Sequence, residues 1–329
     1  MKHAVLFFTQ SGEKVAAAVR EGLDAVVYDK GKESAAEFVK NNWEHCESFL
    51  FIGAAGIAVR LIAPFIRAKD EDPAVIVIDD MGKNVIPILS GHLGGANRLG
   101  RAIAQKIGAA CILTTGTDIH GAFAVDTWAG ENGCVIGNIQ NIKHVSGALL
   151  RGETVGFYSD FEFEGSLPEN VQEGMFPHGI CLSLTESKRP FPITLNVIPK
   201  IVTIGAGCRK GTDSTAFERF ICDMLFDCDI SLKAVKKMAT IDRKQEEKAI
   251  LDFCRKFSIE LETFTGDELM RQKGEFAASE FVKRIVGADN VCERSAWACE
   301  QGEKVYLKRK TARAGMTAAI VAEVRRFGF

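Results

Sequence analysis

Short apolar runs alternate with segments of helical spacing through the first 137 residues, and no other feature restricts the fold as strongly. The runs at 4–8, 25–28, 48–52, 74–78, 85–89 and 111–113 have strand length, while 13–21, 34–41, 57–66 and 99–107 place apolar residues at helical intervals. Parallel strands are joined by long crossovers, usually helices, and helices on both faces leave the strands apolar throughout. The pattern therefore predicts an N-terminal α/β domain at 1–137 with a mainly parallel sheet. After residue 200 the rhythm returns. Strands are predicted at 201–204, 260–264, 304–307 and 317–324. Helices are predicted at 214–226, 232–238, 244–257, 266–272, 279–286 and 295–299, which gives a C-terminal α/β domain at 200–329. Between the two, Pro168, Pro177, Pro190, Pro192 and Pro199 break long elements. A helix at 138–150 and strands near 154–158, 179–184 and 193–197 predict a small α+β middle region at 138–199.

Composition excludes several classes. A chain of 329 residues with 47% apolar content has enough material for two or three real cores. Its formal net charge of −2 supplies no field to recruit nucleic acid, and there is no aromatic-studded basic stripe. No nucleic-acid partner is expected. The ten cysteines lack any Cys-x-x-Cys, and most stand inside apolar stretches where cysteine behaves as a small hydrophobe. Reduced thiols in a cytoplasmic protein are expected, with no protein-held metal. Residues 1–8 run straight into a strand-like segment with no cleavage site, and no window approaches a membrane span, so neither a leader nor a membrane partner is expected.

The chemistry-bearing residues follow the strands. Ser90-Gly-His-Leu-Gly-Gly-Ala-Asn97 lies between an apolar run and a helical segment. Ser90, Gly91, Gly94, Gly95 and Asn97, with Arg98 just beyond, read as a loop that lets backbone approach a ligand at a helix N-terminus, where unpaired N–H groups favour an anion. His92 adds a proton carrier near neutrality. A tight turn with a solvated histidine is the alternative. Gly53-Ala-Ala-Gly56 follows another strand and leads to Arg60, and Thr114-Thr115-Gly-Thr117-Asp118 follows a third. Ligands of open α/β sheets bind outside strand carboxyl ends, so these loops are expected to share one crevice. His120, near Asp118, is a second proton carrier.

After residue 204, Gly205-Ala-Gly207-Cys-Arg209-Lys210-Gly211 resembles a dinucleotide loop but fails its spacing, and no Walker A sequence is present. Two side-chain cations there suit a ligand with several carboxylates. Asp242, in Thr240-Ile-Asp-Arg-Lys244, is read either as a site residue or as a helix cap. Lys308-Arg-Lys310 is a solvated basic turn or a further contact. No Gly-x-Ser-x-Gly elbow supports a serine nucleophile, so hydrolysis would use an activated water.

Together these motifs resemble the cobalt-precorrin-5A hydrolase family of anaerobic cobalamin biosynthesis. Gly56-Ile-Ala-Val-Arg60, the 90–97 loop and Thr115-Gly-Thr-Asp118 are similar to its N-terminal domain. The segments 205–211, 240–244, Ser279-Glu-Phe-Val282 and 308–310 are similar to its C-terminal domain. The resemblance implies a substrate that is a cobalt tetrapyrrole fringed with carboxylates. Water opens a δ-lactone on it, and acetaldehyde then leaves. It implies no cofactor, because the cobalt belongs to the substrate. On that reading Gly53, Gly56, Arg60, Ser90, Gly91, Gly94, Gly95, Asn97, Arg98, Thr115, Thr117, Gly205, Gly207, Arg209, Lys210 and Asp242 contact substrate. His92 is the base, and His120 or Asp118 stands in reserve. The alternatives are a non-catalytic carrier of corrinoid intermediates and, from the glycine loops alone, a nucleotide-dependent oxidoreductase. Transient contact with other enzymes of the pathway and self-association into a homodimer stay open.

Overall fold

The structure is a computed structural model that describes residues 2–68, 71–91, 94–114, 122–278, 280, 284 and 287–329. The chain divides into two compact units, Met1–Trp128 and Ala129–Phe329.

In the first unit the order is β1 (His3–Phe7), α1 (Gln10–Arg20), β2 (Ala25–Val27), α2 (Ala35–Asn42), β3 (Ser48–Ile52) and α3 (Ala55–Ile62). Then come β4 (Ala74–Ile78), β5 (Asn84–Leu89), α4 (Ala96–Ile107) and β6 (Ala110–Cys111). The sheet order is β2-β1-β3-β4-β5-β6. Side chains alternate between two cores, which is why the strands read as unbroken apolar runs. Leu6, Phe49, Phe51, Val75 and Val77 meet α2 and α3 on one face, and Val5, Leu50, Ile52, Ile76 and Ile78 meet α1 and α4 on the other. Each such buried side chain is worth about 1.5–3 kcal/mol against exposure, more than strand propensity supplies. Helix starts are set locally. Thr9 caps α1 by accepting from the Gly12 N–H, and Ser34 with Glu37 forms a capping box at α2. All pairings in this sheet are parallel except β4 with β5, which run antiparallel with Val75 opposite Leu89 and Ile78 opposite Val85.

In the second unit, which α5 (Val125–Glu131) enters, one sheet contains β7 (Cys134–Ile136), β8 (Val155–Ser159), β10 (Val171–Glu173), β11 (His178–Leu182) and β12 (Ile193–Pro199). The helix α6 (Ile142–Leu150) and the short strand β9 (Phe163–Glu164) belong to the same region. The strand order is β10-β8-β11-β12-β7, parallel except at β7. A cross-strand pair of glycines, Gly156 opposite Gly179, makes room for the Phe191 ring, which would overlap any Cβ at either position.

The next sheet is built from β13 (Val202–Cys208), α7 (Ser214–Asp227), β14 (Val235–Ile241), α8 (Lys248–Lys256) and β15 (Glu260–Phe264). It is completed by α9 (Gly266–Arg271), α10 (Val291–Cys299), β16 (Lys304–Arg313) and β17 (Met316–Glu323). Its order is β15-β14-β13-β17-β16. The two sheets are stitched together: Thr185 and Ser187 hydroxyls donate to Asp229 at 2.7 and 2.9 Å, and Ser231 donates to Glu186 at 2.7 Å. A last strand, β18 (Phe327–Gly328), pairs with β9.

The helix expected at 232–238 is not formed. Three residues make a single 3-10 turn and β14 begins at Val235. The spacing of Leu232, Val235 and Met238 is helical, but the segment is central in its sheet. Lys236 is held by Glu300 and Glu323 at 3.3 Å each, and Lys237 by Glu262 at 2.7 Å. Those ion pairs let two lysines occupy a central strand, information that local spacing does not carry. The helix expected at 279–286 lies largely outside the described residues.

One consequence is measurable with acid. Burial pushes the Asp160 carboxyl upward, but the Lys188 ammonium at 2.5 Å and the Ser183 and Tyr158 hydroxyls outweigh it and hold the group below the usual carboxylate range. A carboxyl depressed on folding stabilises the native state above its unfolded value and loses that contribution as pH falls through the folded one. Thermal stability is therefore expected to fall as pH drops from about 5 to about 3, and Asp160→Asn should flatten that slope. An unchanged slope in calorimetry of Asp160→Asn would remove this ion pair as a cause.

Candidate active site

Because β5 is antiparallel to β4, the loops expected to converge stand at opposite edges of the first sheet. The Gly53 N–H donates to the Ile78 carbonyl at 2.8 Å, which places the 53–56 loop at the carboxyl end of β4. The Ser90 hydroxyl donates to the Asp72 carbonyl at 2.9 Å, which places the 90–97 loop at the other end, beside the start of β4. A five-residue strand separates them by about 13 Å. The single shared crevice is thus corrected to two edges. Thr114, which follows β6 parallel to β5, lies on the same edge as the 90–97 loop. The cause is a hairpin: Asp79 accepts from the Met81 N–H at 2.9 Å and its carbonyl accepts from the Gly82 N–H at 2.8 Å. The few residues between 78 and 84 are too short for a crossover, a signal already present in the sequence.

The described residues of the 90–97 loop are tightly wound. Ser90 and Gly95 both have positive φ, 53° and 78°, and a Cβ at Gly94 would run into that of Ser90. The Ala96 N–H donates to the Ser90 carbonyl at 3.1 Å and the Asn97 N–H to the Gly91 carbonyl at 2.9 Å. The first two helical N–H groups of α4 therefore serve the loop itself, and the Asn97 side chain is buried beneath it. That narrows the anion cradle expected there, because the helix terminus does not offer all its donors. Arg98 is exposed, with its guanidinium lying over Gly95. His92, Thr115, Thr117, Asp118 and His120 lie outside the described residues.

At the opposite edge, Gly53 packs against the Phe8 ring, Gly56 faces open space, and Arg60 is exposed in the last turn of α3. Beside them is a group not anticipated from the sequence. Thr9 donates to the Asp80 carboxylate at 2.5 Å, Ser11 donates to the same group, and together they hold it well below the usual carboxylate range. This lock joins the turn after β1 to the turn after β4. Threonine and serine after one strand and an aspartate after another were the available signal.

In the second unit, Gly205 and Gly207 are residues of β13 and not of a loop beyond it, which corrects the reading of 205–211 as a glycine-rich turn. A Cβ at Gly205 would overlap the Cys292 carbonyl oxygen and approach the Ala296 nitrogen to 2.8 Å. This glycine lets α10 lie directly on the sheet. Gly207 pairs with Thr317, whose hydroxyl donates to the Gly207 carbonyl at 3.3 Å. Arg209 and Lys210 are exposed at the carboxyl end of β13, with the Arg209 N–H donating to the Gly315 carbonyl at 3.2 Å. Asp242 opens a 3-10 turn after β14 and accepts from the Arg243 N–H at 2.7 Å. Lys244 pairs with Glu247 at 2.9 Å, and Glu247 accepts from the Gly211 N–H at 2.9 Å. Since β13 and β14 are parallel, Arg209, Lys210, Arg243 and Lys244 collect at one edge.

Three family models match the chain: Cobalamin synthesis G N-terminal over residues 37–118, Cobalamin biosynthesis central region over 123–199, and Cobalamin synthesis G C-terminus over 202–321. Cobalt-precorrin-5A hydrolase of Salmonella typhimurium is 31% identical over 78% of this chain and 77% of that protein. Its counterpart from Priestia megaterium is 30% identical over 85% of this chain and 80% of its own. The chain belongs to the cobalt-precorrin-5A hydrolase family. A crystal structure of a cobalamin biosynthesis protein G homolog from Sulfolobus solfataricus is also similar, with 20% identity, a TM-score of 0.43, and coverage of 98% of this chain and 97% of that one.

The family motifs divide by what their side chains touch. The 308–310 segment is structural: Arg309 stacks on the Tyr306 ring at 3.9 Å and donates to the Glu275 carbonyl at 2.7 Å. The Lys310 N–H donates to the buried Glu293 carboxylate at 3.0 Å. In the 240–244 segment, by contrast, Thr240 and Ile241 are buried, Lys244 is held by Glu247 at 2.9 Å, and Arg243 is exposed at the β13–β14 edge. Burial raises the Cys134 and Cys181 thiols to about 12 and Cys254 to about 11, and none of the ten cysteines is in a disulfide, so these buried thiols act as packing groups. No helix among the described residues is long and apolar enough to cross a membrane.

Proposed function

We propose that this chain hydrolyses the δ-lactone of cobalt-precorrin-5A and releases acetaldehyde, leaving cobalt-precorrin-5B. The observation that carries the reading is the likeness, at 30–31% identity over more than three quarters of their length, to two curated cobalt-precorrin-5A hydrolases. The cation-bearing strand ends support it, because the substrate is a macrocycle rimmed with carboxylates and arginine forks bind such groups well. Arg98, Arg209 and Lys210 are the contacts of choice, each exposed.

The chemistry has two stages. Water adds to the lactone carbonyl, which needs a base for the water proton and donors for the tetrahedral oxyanion. We assign the base to His92 and the donors to the Gly94 and Gly95 N–H groups, with His120 or Asp118 as the alternative base. Opening leaves a carboxylic acid and a free hydroxyl. Loss of the hydroxyl proton then breaks the carbon–carbon bond, acetaldehyde departs, and the electron pair left on the macrocycle takes up a proton. The cobalt is part of the substrate, and the reading requires no cofactor held by the protein. It further places the protein in the cytoplasm, in short-lived contact with the enzymes that supply and consume the intermediate. Anaerobic incubation with cobalt-precorrin-5A should yield one acetaldehyde per lactone consumed. Tight binding of the tetrapyrrole with no acetaldehyde would make the chain a carrier instead.

A further inference from the structure

A surface helix normally shows water a polar face. The helix α3 does not. Ala58 and Ile62 are buried and Leu61 is half-buried, as its core-facing side requires. The outward side is made of Gly56, Val59, Arg60 and Ala63, with Ile57 at its margin; Val59 is 51% exposed and Ile57 37%. The apolar surface continues past the helix end to Ile66, which is 45% exposed. Arg60 is the one charged residue in the helix, and among the described residues no carboxylate pairs with it. An exposed apolar patch around a lone cation has a specific complement: an apolar surface with an anion at its rim. The patch is small. Eight helical residues span about 12 Å, whereas a stable protein interface buries about 800 Å² on each side with about 20–30 residues. A small ligand with an apolar face fits better than a second protein chain. Glycine and alanine at positions 56 and 63 keep the surface low enough for a flat molecule to lie against it.

We propose that the outward face of α3 is a binding surface for the substrate's macrocycle, with Ile57 and Val59 against the apolar ring system and Arg60 on a peripheral carboxylate. This rests on the reading of the chain as a cobalt-precorrin-5A hydrolase, and it adds residues of α3 that set affinity, outside the loop to which the base is assigned.

The test uses the full chain with cobalt-precorrin-5A under anaerobic conditions, measuring both acetaldehyde release and equilibrium binding by co-elution of the tetrapyrrole absorbance. The double variant Ile57→Ser/Val59→Ser is expected to raise KM and Kd about 10-fold or more, with kcat within about twofold, because two aliphatic side chains would no longer be withdrawn from water when the ring binds. Arg60→Gln should raise KM similarly, with an effect that shrinks as salt is added. Phe226→Ser, a change at an exposed ring on α7, is the control and should leave KM alone. An unaltered KM and Kd in both α3 variants, with wild-type turnover intact, overturns the proposal and leaves the hydrolase reading standing. If the wild type binds without turnover and the α3 variants lose binding, the face stands and the hydrolase reading falls. A wild-type oligomer that the double variant loses in the absence of substrate shows that protein covers the face and overturns the proposal.

Discussion

His92→Ala is expected to lower kcat for acetaldehyde release by about 10²–10⁴-fold, the range for loss of a general base. KM should change little, because substrate affinity is assigned to arginines and backbone and not to the imidazole. The pH–rate profile gives a second readout. Wild type should show a limb that titrates in the histidine range, and the variant should lack it. Far-ultraviolet circular dichroism and the melting temperature should match wild type, since the hydrogen bonds on either side of His92 are made by Ser90, Gly91, Ala96 and Asn97. A variant that retains full turnover removes His92 as the base and moves the role to His120 or Asp118 without touching the reaction itself.

The largest effect on stability is expected at Gly205. Here β13 and α10 approach backbone to backbone, so Gly205→Val has no flexible side chain to displace; the atoms in the way are the Cys292 carbonyl oxygen and the Ala296 nitrogen. The helix must lift off the sheet, uncovering the buried Ser295 hydroxyl bond to the Ala239 carbonyl at 3.2 Å and the Cys292 packing. A loss of about 3 kcal/mol or more is expected, above the usual overpacking cost. For a unit of this size that lowers the melting transition by about 6–12 °C. Gly207→Ala is the comparison, because its Cβ would meet chiefly the Thr317 hydroxyl at 3.0 Å, a movable side chain. Equal losses at both positions in scanning calorimetry would show that helix contact is not what requires glycine at 205.

Much of the architecture was legible because burial on two faces forces continuous apolar strands, and because the crossover helices need their own periodicity. β1, β3 and β4 and the helices α7 and α10 lie where those patterns put them, within a few residues. Central strands with paired charges were not legible. β14 carries Lys236 and Lys237 and reads as a helix until Glu300, Glu323 and Glu262 are in place to neutralise them. Glycines were ambiguous for a related reason. Gly205 and Gly95 look alike in one dimension, yet one admits a helix against a strand and the other turns a loop through positive φ.

The sequence by itself determined the family and the fold class: motif order, and two α/β regions around a proline-broken middle. These depend on residue identity and local spacing. Tertiary structure alone decided which motifs are neighbours. The antiparallel turn between β4 and β5 sends the 53–60 and 90–98 segments to opposite edges of one sheet, because strand direction sets which end a loop occupies. It also decided that α3 turns an apolar face with a single arginine to solvent, since exposure depends on what packs nearby and not on the helix's own residues.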